Sequence, residues 1–292
     1  MQRLNIIGCG HVARSIGRLL HEQGVFALGD VLCRSRTSAC RGVAFMRAGR
    51  AVAELGEMRR ADVFMLGVPD DHIQACAQRL ARSGLLAPGN IVFHFSGSLP
   101  SSELDSVTAY GALTASIHPI KSFADPEGSC RTFAGTYCGI EGDAAAVGVL
   151  TRGFEGIGGK VIPIDAANKD LYHAASVFVC NYVTALLEVG LRCYMKAGLE
   201  REAAYDIMAP LVRETVENIL RLDTVKGLTG PVARGDHGVI ARELNALENW
   251  DPDLGELYRR LGKIALDLST LQGNASEASL KMLRDTLAKG GE

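Results

Sequence analysis

An excess of charge of either sign, paired cysteines and a recognisable leader are what this sequence lacks. Its 31 Lys and Arg stand against 33 Asp and Glu, a formal net charge of -2, so nothing in its electrostatics calls for nucleic acid or an anionic membrane as a partner. Eight cysteines are present, Cys9, Cys33, Cys40, Cys76, Cys130, Cys138, Cys180 and Cys193, but none form a C-x-x-C pair and no histidines cluster beside them. That excludes a zinc site and a disulfide scaffold, and no bound metal is expected. Most of these thiols lie in apolar runs, where free Cys behaves as a small hydrophobe; a reduced, cytoplasmic protein is the expectation. The first apolar segment is broken at once by Gly8 and Gly10, too soon for a secretory leader. The longest apolar stretch, Ala174 to Leu187, contains Ser176, Asn181 and Thr184 and ends at Glu188, so it is expected to be too short and too polar to span a bilayer. No internal repeat is visible. The 33 glycines are spread over element ends and form no low-complexity run.

What is present begins at the N-terminus. Leu4-Asn5-Ile6-Ile7 reads as a short strand that runs into Gly8-Cys9-Gly10-His11-Val12-Ala13, after which Ile16, Leu19 and Leu20 mark one face of a helix. This is the G-x-G-x-x-A dinucleotide fingerprint between a strand and a helix, the context that gives it meaning. Gly8 permits the tight turn, Gly10 lets the backbone approach a pyrophosphate, and small Ala13 lets the helix pack on the sheet. The free N–H groups of that helix then face the phosphates. Gly8, Gly10, His11, Val12 and Ala13 are therefore cofactor-binding candidates.

The next strand bears on which dinucleotide. An NAD site usually places Asp or Glu about 20 residues past the fingerprint, at the end of the second strand. Here Asp30-Val31-Leu32-Cys33 is followed by Arg34-Ser35-Arg36-Thr37, with no carboxylate at the strand end. Two guanidinium groups with hydroxyls beside them suit a 2'-phosphate, because Arg offers forked donors to its oxygens and a flat face to the adenine. NADP(H) is the expected cofactor, with Arg34, Ser35 and Arg36 as its selectors.

With 292 residues, 47% of them hydrophobic, the chain can bury one large or two ordinary cores. Its first half alternates short apolar runs with helical patterns. Strands are expected at Val31 to Cys33, near Val43 and Ala44, at Asp62 to Val68, at Ile91 to Phe95, before His118-Pro119, near Thr136 to Ile140 and at Lys160 to Ile164. Helices are expected through Ala51 to Met58, through Ile73, Ala77 and Leu80, and around Ala144 to Phe154. That pattern indicates a parallel sheet covered on both faces. After Asp165 only long helical patterns follow: Ala166 to Ala197, Arg201 to Leu222 with an interruption at Pro210, Gly238 to Asn249, Pro252 to Leu271 and Ser276 to Lys289. Asp251-Pro252 supplies an N-cap and a first-turn proline, and Gly273 a terminator. The expected architecture is an α/β Rossmann-like dinucleotide-binding domain, residues 1–164, followed by an all-α domain, residues 165–292. Ligands of such sheets sit beyond the carboxyl ends of the strands, which brings the fingerprint, Arg34 to Thr37, Val68-Pro69-Asp70 and Ser96-Gly97-Ser98 to one edge.

These features resemble the 6-phosphogluconate-dehydrogenase-like superfamily of NADP-dependent reductases, to which pyrroline-5-carboxylate reductase, ketopantoate reductase and the beta-hydroxyacid dehydrogenases belong. His94-Phe95-Ser96-Gly97, His118-Pro119-Ile120-Lys121-Ser122-Phe123, Tyr172-His173-Ala174-Ala175 with Asn181, and Leu228 to Asp236 are similar to a branch that joins a Rossmann-like domain to a helical domain of unassigned function. The resemblance implies that the fingerprint, Arg34, Ser35, Arg36, Val68 and Pro69 bind NADP(H), with Ser96 near the nicotinamide. It also implies that the first long helix of the second half handles the substrate. The beta-hydroxyacid dehydrogenases keep a Lys and an Asn there; this helix offers Lys169, His173 and Asn181 at a different spacing. At 100° per residue His173 lies about 40° from Lys169 and about 80° from Asn181, so one stripe can hold His173 with either.

Reducing a ketone requires a hydride and a proton for the developing alkoxide, and His donates a proton well near neutral pH. His173 is the first candidate for general acid, Asn181 for orienting the substrate oxygen, and Lys121 for an alternative donor or carboxylate anchor. His118, Thr229 and Arg234 are candidate substrate contacts. Thr229 to Asp236 reads either as a loop that closes over substrate, offering Arg234 to an anion, or as a plain connection with Asp236 capping the next helix. The apolar faces of Tyr182 to Leu191 and Ile207 to Leu220 suit a homodimer through the helical domain or packing within the chain. The expected activity is NADP(H)-dependent oxidoreduction of a small carbonyl or imine acid. The alternatives are a ketopantoate-type or pyrroline-carboxylate-type reductase and a non-catalytic NADP-binding sensor.

Overall fold

A computed structural model of the chain describes residues 1–288. They fall into two compact units, Met1–Asn181 and Tyr182–Glu292. In the first, eight strands form one sheet: β1 (Arg3–Ile7), β2 (Ala27–Leu32), β3 (Arg50–Val52), β4 (Val63–Leu66), β5 (Ile91–His94), β6 (Leu113–Pro119), β7 (Tyr137–Gly142) and β8 (Lys160–Pro163). Their order is β3-β2-β1-β4-β5-β6-β7-β8. The first six reproduce the doubly wound 3-2-1-4-5-6 arrangement, with its topological switch between β1 and β4. Helices α1 (His11–Glu22), α2 (Arg36–Met46), α3 (Ile73–Ala81), α4 (Pro126–Arg131), α5 (Ala144–Gly156) and α6 (Lys169–Val177) complete the unit.

Apolar strands with both faces covered produce two cores. Val63, Met65, Ile91 and Phe93 point to one face with Ile16 and Leu20 of α1. Phe64, Leu66 and Val92 point to the other with Ile73, Ala77 and Leu80 of α3. This alternation within continuous apolar runs is the period-2 geometry of a strand.

Local pattern misleads in three places. Val43 and Ala44, expected in a strand, lie in α2, which Ser35 starts by accepting the Ser38 N–H at 3.2 Å. The helix expected over Ala51 to Met58 is instead β3 followed by a short 3-10 turn at Leu55–Glu57. There, pairing with β2 and the Arg50–Asp30 ion pair at 2.9 Å outweigh local propensity. Finally, β7 runs antiparallel to β6. The connection contains only the six-residue α4, which is tied to α1 by Arg18–Glu127 at 2.7 Å and does not cross back along the sheet.

The first unit also runs past the boundary expected at residue 165. A 3-10 turn at Ala166–Asn168 leads into α6, and a π-helical turn, Phe178–Tyr182, follows. Lys169 anchors α6: its side chain is 1% exposed and its ammonium donates to Glu141 on β7 at 3.0 Å. A buried lysine needs such a partner, and that partner is in the sheet.

The second unit contains α7 (Val183–Lys196), α8 (Arg201–Leu222), α9 (Thr224–Gly227), α10 (Gly230–Arg234), α11 (His237–Trp250), α12 (Pro252–Gln272) and α13 (Glu277–Ala288). Ile240, Leu266, Leu280, Leu283 and Leu287 form one of its cores, and Leu191, Ala204 and Met208 another. Asp251 caps α12 through the amides of Asp253 and Leu254, and Gly273, at φ +73°, ends it in the left-handed conformation that glycine adopts without a Cβ penalty. The interruption expected at Pro210 does not occur, and α8 runs through it. Proline removes one hydrogen bond from the ladder, and the Asp206 carbonyl it strands belongs to an exposed residue.

The expectation that the apolar stretch near residue 180 is too short and polar for a bilayer needs correcting. The helical run Ala166–Lys196 holds an 18-residue window of mean hydropathy 1.6 that is only 6% buried, so by length and composition it could cross one. The π-turn keeps the helix continuous and thereby lengthens the apolar stretch that Asn181 and Thr184 interrupt in the sequence.

Candidate functional site

Beyond β1 and β4, at the switch point, the chain is built to keep side chains out. Gly8 turns at φ +84°, and a Cβ there would meet Val68 Cγ1 at 2.5 Å and the Gly67 carbonyl at 2.7 Å. A Cβ on Gly67 would meet Ala13 Cβ at 2.3 Å and Gly8 O at 2.5 Å. Val68 thus packs over Gly8, and Ala13 needs Gly67 as its small partner. The need for Gly67, one residue past β4, was not read from the sequence. Gly10 is different: a Cβ there would find only the Gly67 carbonyl, at 3.8 Å, and the surface in front of it is open. Gly10 precedes the first turn of α1, which has no side-chain cap and no acidic residue. His11 and Val12 therefore offer free backbone N–H groups at the positive end of the helix dipole. The His11 ring is committed elsewhere, its Nδ1–H donating to the Phe123 carbonyl at 2.8 Å and holding the loop after β6 against α1.

At the end of β2, Arg34, Ser35 and Arg36 are exposed. Asp30, two residues before the strand ends, is fully buried and turned away: Arg50 and Arg59 both pair with it, at 2.9 and 2.7 Å. Burial alone would raise its pKa, but the hydrogen bonds from these two arginines outweigh it and hold the carboxyl far below the usual carboxylate range. Asp30 has no lone pairs to spare for a ribose.

The loop after β5 is locked from within. His94 accepts the Ser96 N–H on Nδ1 at 3.1 Å and donates Nε2–H to the Pro100 carbonyl at 3.1 Å. Burial, with Lys169 nearby, pushes its pKa down to about 4. Ser96 is buried; its hydroxyl donates to Asp70 at 2.6 Å and accepts the amides of Ser98 and Leu99 at 3.2 and 2.8 Å. Pro69 precedes the 3-10 turn, Asp70–His72, that places this carboxylate. Below them Lys169 donates to the Leu99 carbonyl, to Ser116 Oγ and to Glu141, whose other oxygen accepts the Ser101 hydroxyl at 2.7 Å.

His173 and His118 meet over Gly97. Their rings lie edge to face with centroids 5.5 Å apart. A Cβ on Gly97 would stand 2.9 Å from His118 Cε1 and 3.0 Å from its Nε2, and closer still to His173 Nδ1. That Nδ1 is buried without a hydrogen-bond partner. His118 Nδ1 lies 3.1 Å from the Tyr172 phenol oxygen, and burial with His173 close by pushes the His118 pKa down to about 4. Lys121 is half-buried in the loop that follows, at the same edge of the sheet.

Other candidates stand apart. Asn181 is exposed within the π-turn, whose wider winding breaks the 100° spacing on which its alignment with His173 rested. In the second unit Thr229 precedes α10, and Arg234 is ion-paired with Asp236 at 2.9 Å. The expected capping by Asp236 is absent, because its carboxylate serves Arg234 and makes no cap hydrogen bond to α11. Among the described residues no cluster of His, Cys, Asp and Glu is arranged to hold a metal ion.

Residues 2–119 match the Rossmann-like domain family, and residues 136–265 match the family described as domain of unknown function DUF2520. The chain pairs a Rossmann-like domain with a DUF2520 domain. In this DUF2520 protein His118 lies in the first matched segment and His173 in the second, and the first compact unit contains both. Protein TM1727 of Thermotoga maritima has a similar structure, with TM-score 0.74, 26% identity and coverage of 92% of this chain and 99% of that one. BF3122 of Bacteroides fragilis, provisionally assigned as an NADP oxidoreductase, gives TM-score 0.72 at 21% identity over 92% and 98%. Pyrroline carboxylate reductase of Plasmodium falciparum, with NADP bound, gives TM-score 0.58 at 13% identity over 98% of both chains. No sequence among the curated proteins matches the chain.

Proposed function

We propose that this protein is an NADP(H)-dependent oxidoreductase that reduces a small carbonyl or imine acid. The observation that carries this reading is the pairing of an open helix N-terminus at the switch point with two imidazoles beyond the neighbouring strands of the same sheet edge. Gly10 leaves room for a pyrophosphate, the free amides of His11 and Val12 face it, and exposed Arg34 and Arg36 are available for a 2'-phosphate. With Asp30 consumed by Arg50 and Arg59, nothing favours the unphosphorylated ribose. The shared fold with a reductase that binds NADP supports the same choice.

The dinucleotide supplies a hydride to the carbonyl or imine carbon when bound. The protein supplies a proton to the oxygen or nitrogen, and His173 is the group we assign to that step. Lys121 serves as the anchor for a substrate carboxylate. His118 contacts His173 and the substrate pocket it faces. Lys169 is excluded as donor by its burial and its three partners, and nothing in the geometry supports Asn181 as the orienting amide.

NADPH oxidation against a panel of 2-keto acids and cyclic imines tests the proposal. Turnover is expected with one of these classes, and His173→Ala is expected to lower it by about 10²- to 10⁴-fold with NADPH affinity unchanged. Undiminished turnover in His173→Ala would remove His173 from the reaction. NADPH binding without turnover on the whole panel would favour a sensor.

A further inference from the structure

His173 Nδ1 is enclosed without a partner, an arrangement that costs free energy unless something completes it. The nearest candidate is His118, whose Nε2 shares with that Nδ1 the space a Cβ on Gly97 would occupy. The two ring centroids, 5.5 Å apart, are at roughly the separation of imidazoles joined by an N–H···N hydrogen bond. On its other side His118 Nδ1 faces the Tyr172 phenol at 3.1 Å. The Gly139 amide donates to that phenol oxygen, while burial pushes the phenol pKa up to about 12 and keeps it protonated. With an N–H already on its oxygen, Tyr172 directs its own proton to His118 Nδ1. His118, which burial keeps neutral, then carries its single proton on Nε2, toward His173.

Two glycines make this row possible. A Cβ on Gly139 would stand 2.5 Å from the Tyr172 oxygen, and one on Gly97 would strike both imidazoles. Neither glycine has a left-handed backbone to explain it, so space is the reason each position lacks a side chain.

We propose that Tyr172 and His118 are positioning residues that fix the tautomer of His173: the phenol proton goes to His118 Nδ1, the His118 Nε2–H goes to His173 Nδ1, and His173 keeps its proton on Nε2. The inference rests on the assignment of His173 as proton donor and says which nitrogen donates. It treats the row as the orienting part of an acid–base unit, in which a third group holds the imidazole in the tautomer that catalysis uses. No proton crosses the row in the resting state, and each hydrogen bond has one donor and one acceptor.

Long-range ¹H–¹⁵N correlation spectra of the full chain labelled with ¹⁵N-histidine, recorded where the rings are neutral, read the tautomers directly. His118→Gln and His173→Gln assign the signals. We expect both rings as single Nε2–H tautomers in the native protein, and in Tyr172→Phe a move of His173 Nδ1 from the shift of an unprotonated nitrogen toward the tautomer-averaged value. Gly97→Ala, which wedges a methyl between the rings, is expected to do the same. A native His173 protonated on Nδ1, or one whose shifts are unchanged in both variants, would overturn the proposal. The readout needs no substrate. Predicted tautomers with an inert His173→Ala phenotype would reject the catalytic assignment alone, and lost turnover in His173→Ala with tautomers indifferent to Tyr172 would reject the positioning role alone.

Discussion

His94 shows how one side chain can hold a site without taking part in its chemistry. Fully buried on β5, it uses both ring nitrogens to tie Ser96 and Pro100 into the turn that presents Gly97. Its pKa, lowered from 6.5 to about 4 by burial and then by Lys169, means that between these values the unfolded chain binds a proton that the folded chain does not. Stability therefore rises with pH through that window and is lost as pH falls through it. A shift of this size corresponds to roughly 3 kcal/mol. Asp30 contributes in the same direction at lower pH: its folded-state value lies below 3.8, so its share is present above 3.8 and lost as pH falls further. Urea unfolding at pH 7 and pH 4.5 should show the native protein losing about 2 kcal/mol more than His94→Asn, which keeps an acceptor for the Ser96 amide. Equal losses would mean that the imidazole is not held neutral by the fold. His173, His118 and Ser96 were legible as chemistry-bearing residues, but their partners were not: Tyr172 reads as a helix aromatic, Gly97 as a turn residue and Glu141 as an edge-strand carboxylate. What joins them is pairing between segments 20 to 70 residues apart, which no local pattern encodes.

Among the elements, α2 carries the cofactor preference at its N-terminus. Ser35 is its cap, so its hydroxyl is occupied by Ser38. Only the two arginines are left to meet a phosphate. Arg34→Ala combined with Arg36→Ala is expected to weaken NADPH binding by about 10- to 100-fold, as loss of charge-assisted hydrogen bonds of about 1.5–3 kcal/mol implies, while NADH binding changes little. Titration of both dinucleotides checks it; tighter native binding of NADH would contradict the NADP(H) reading. The elements that pattern reading found are those whose apolar residues repeat within one segment, β1, β4, β5, α1, α3 and the long helices. Those it missed, β3 and the antiparallel β7, are defined by a neighbour: β3 by its register with β2 and β7 by a connection too short to cross the sheet.

For the molecule as a whole, the unexplained surface is apolar. Leu171, Phe178 and Val179 are 74%, 63% and 75% exposed on the helical run that follows the sheet, and Leu220 at the end of α8 is 82% exposed. Exposed apolar groups on this scale mark contact surfaces, and we propose a second copy of the chain as their cover. Sedimentation equilibrium at micromolar concentration should give twice the chain mass, and Val179→Glu with Leu220→Glu should weaken association at least about tenfold, since each buries a charge. A species of single-chain mass would refute the dimer, and recovery of the native protein in the membrane fraction would make lipid the cover.

By itself the sequence determined the class of fold and the seat of the dinucleotide, because strand burial, helix periodicity and the glycine turn are local properties written in consecutive residues. Tertiary structure decided everything that depends on which segments meet: that Asp30 is spent on arginines, that Lys169 is buried where a catalytic lysine was conceivable, and that α6 belongs with the sheet. It also decided that His173 faces His118 across a glycine. A buried charge or an unpartnered imidazole acquires its role from groups distant in the chain, and only folding brings those groups within hydrogen-bond range.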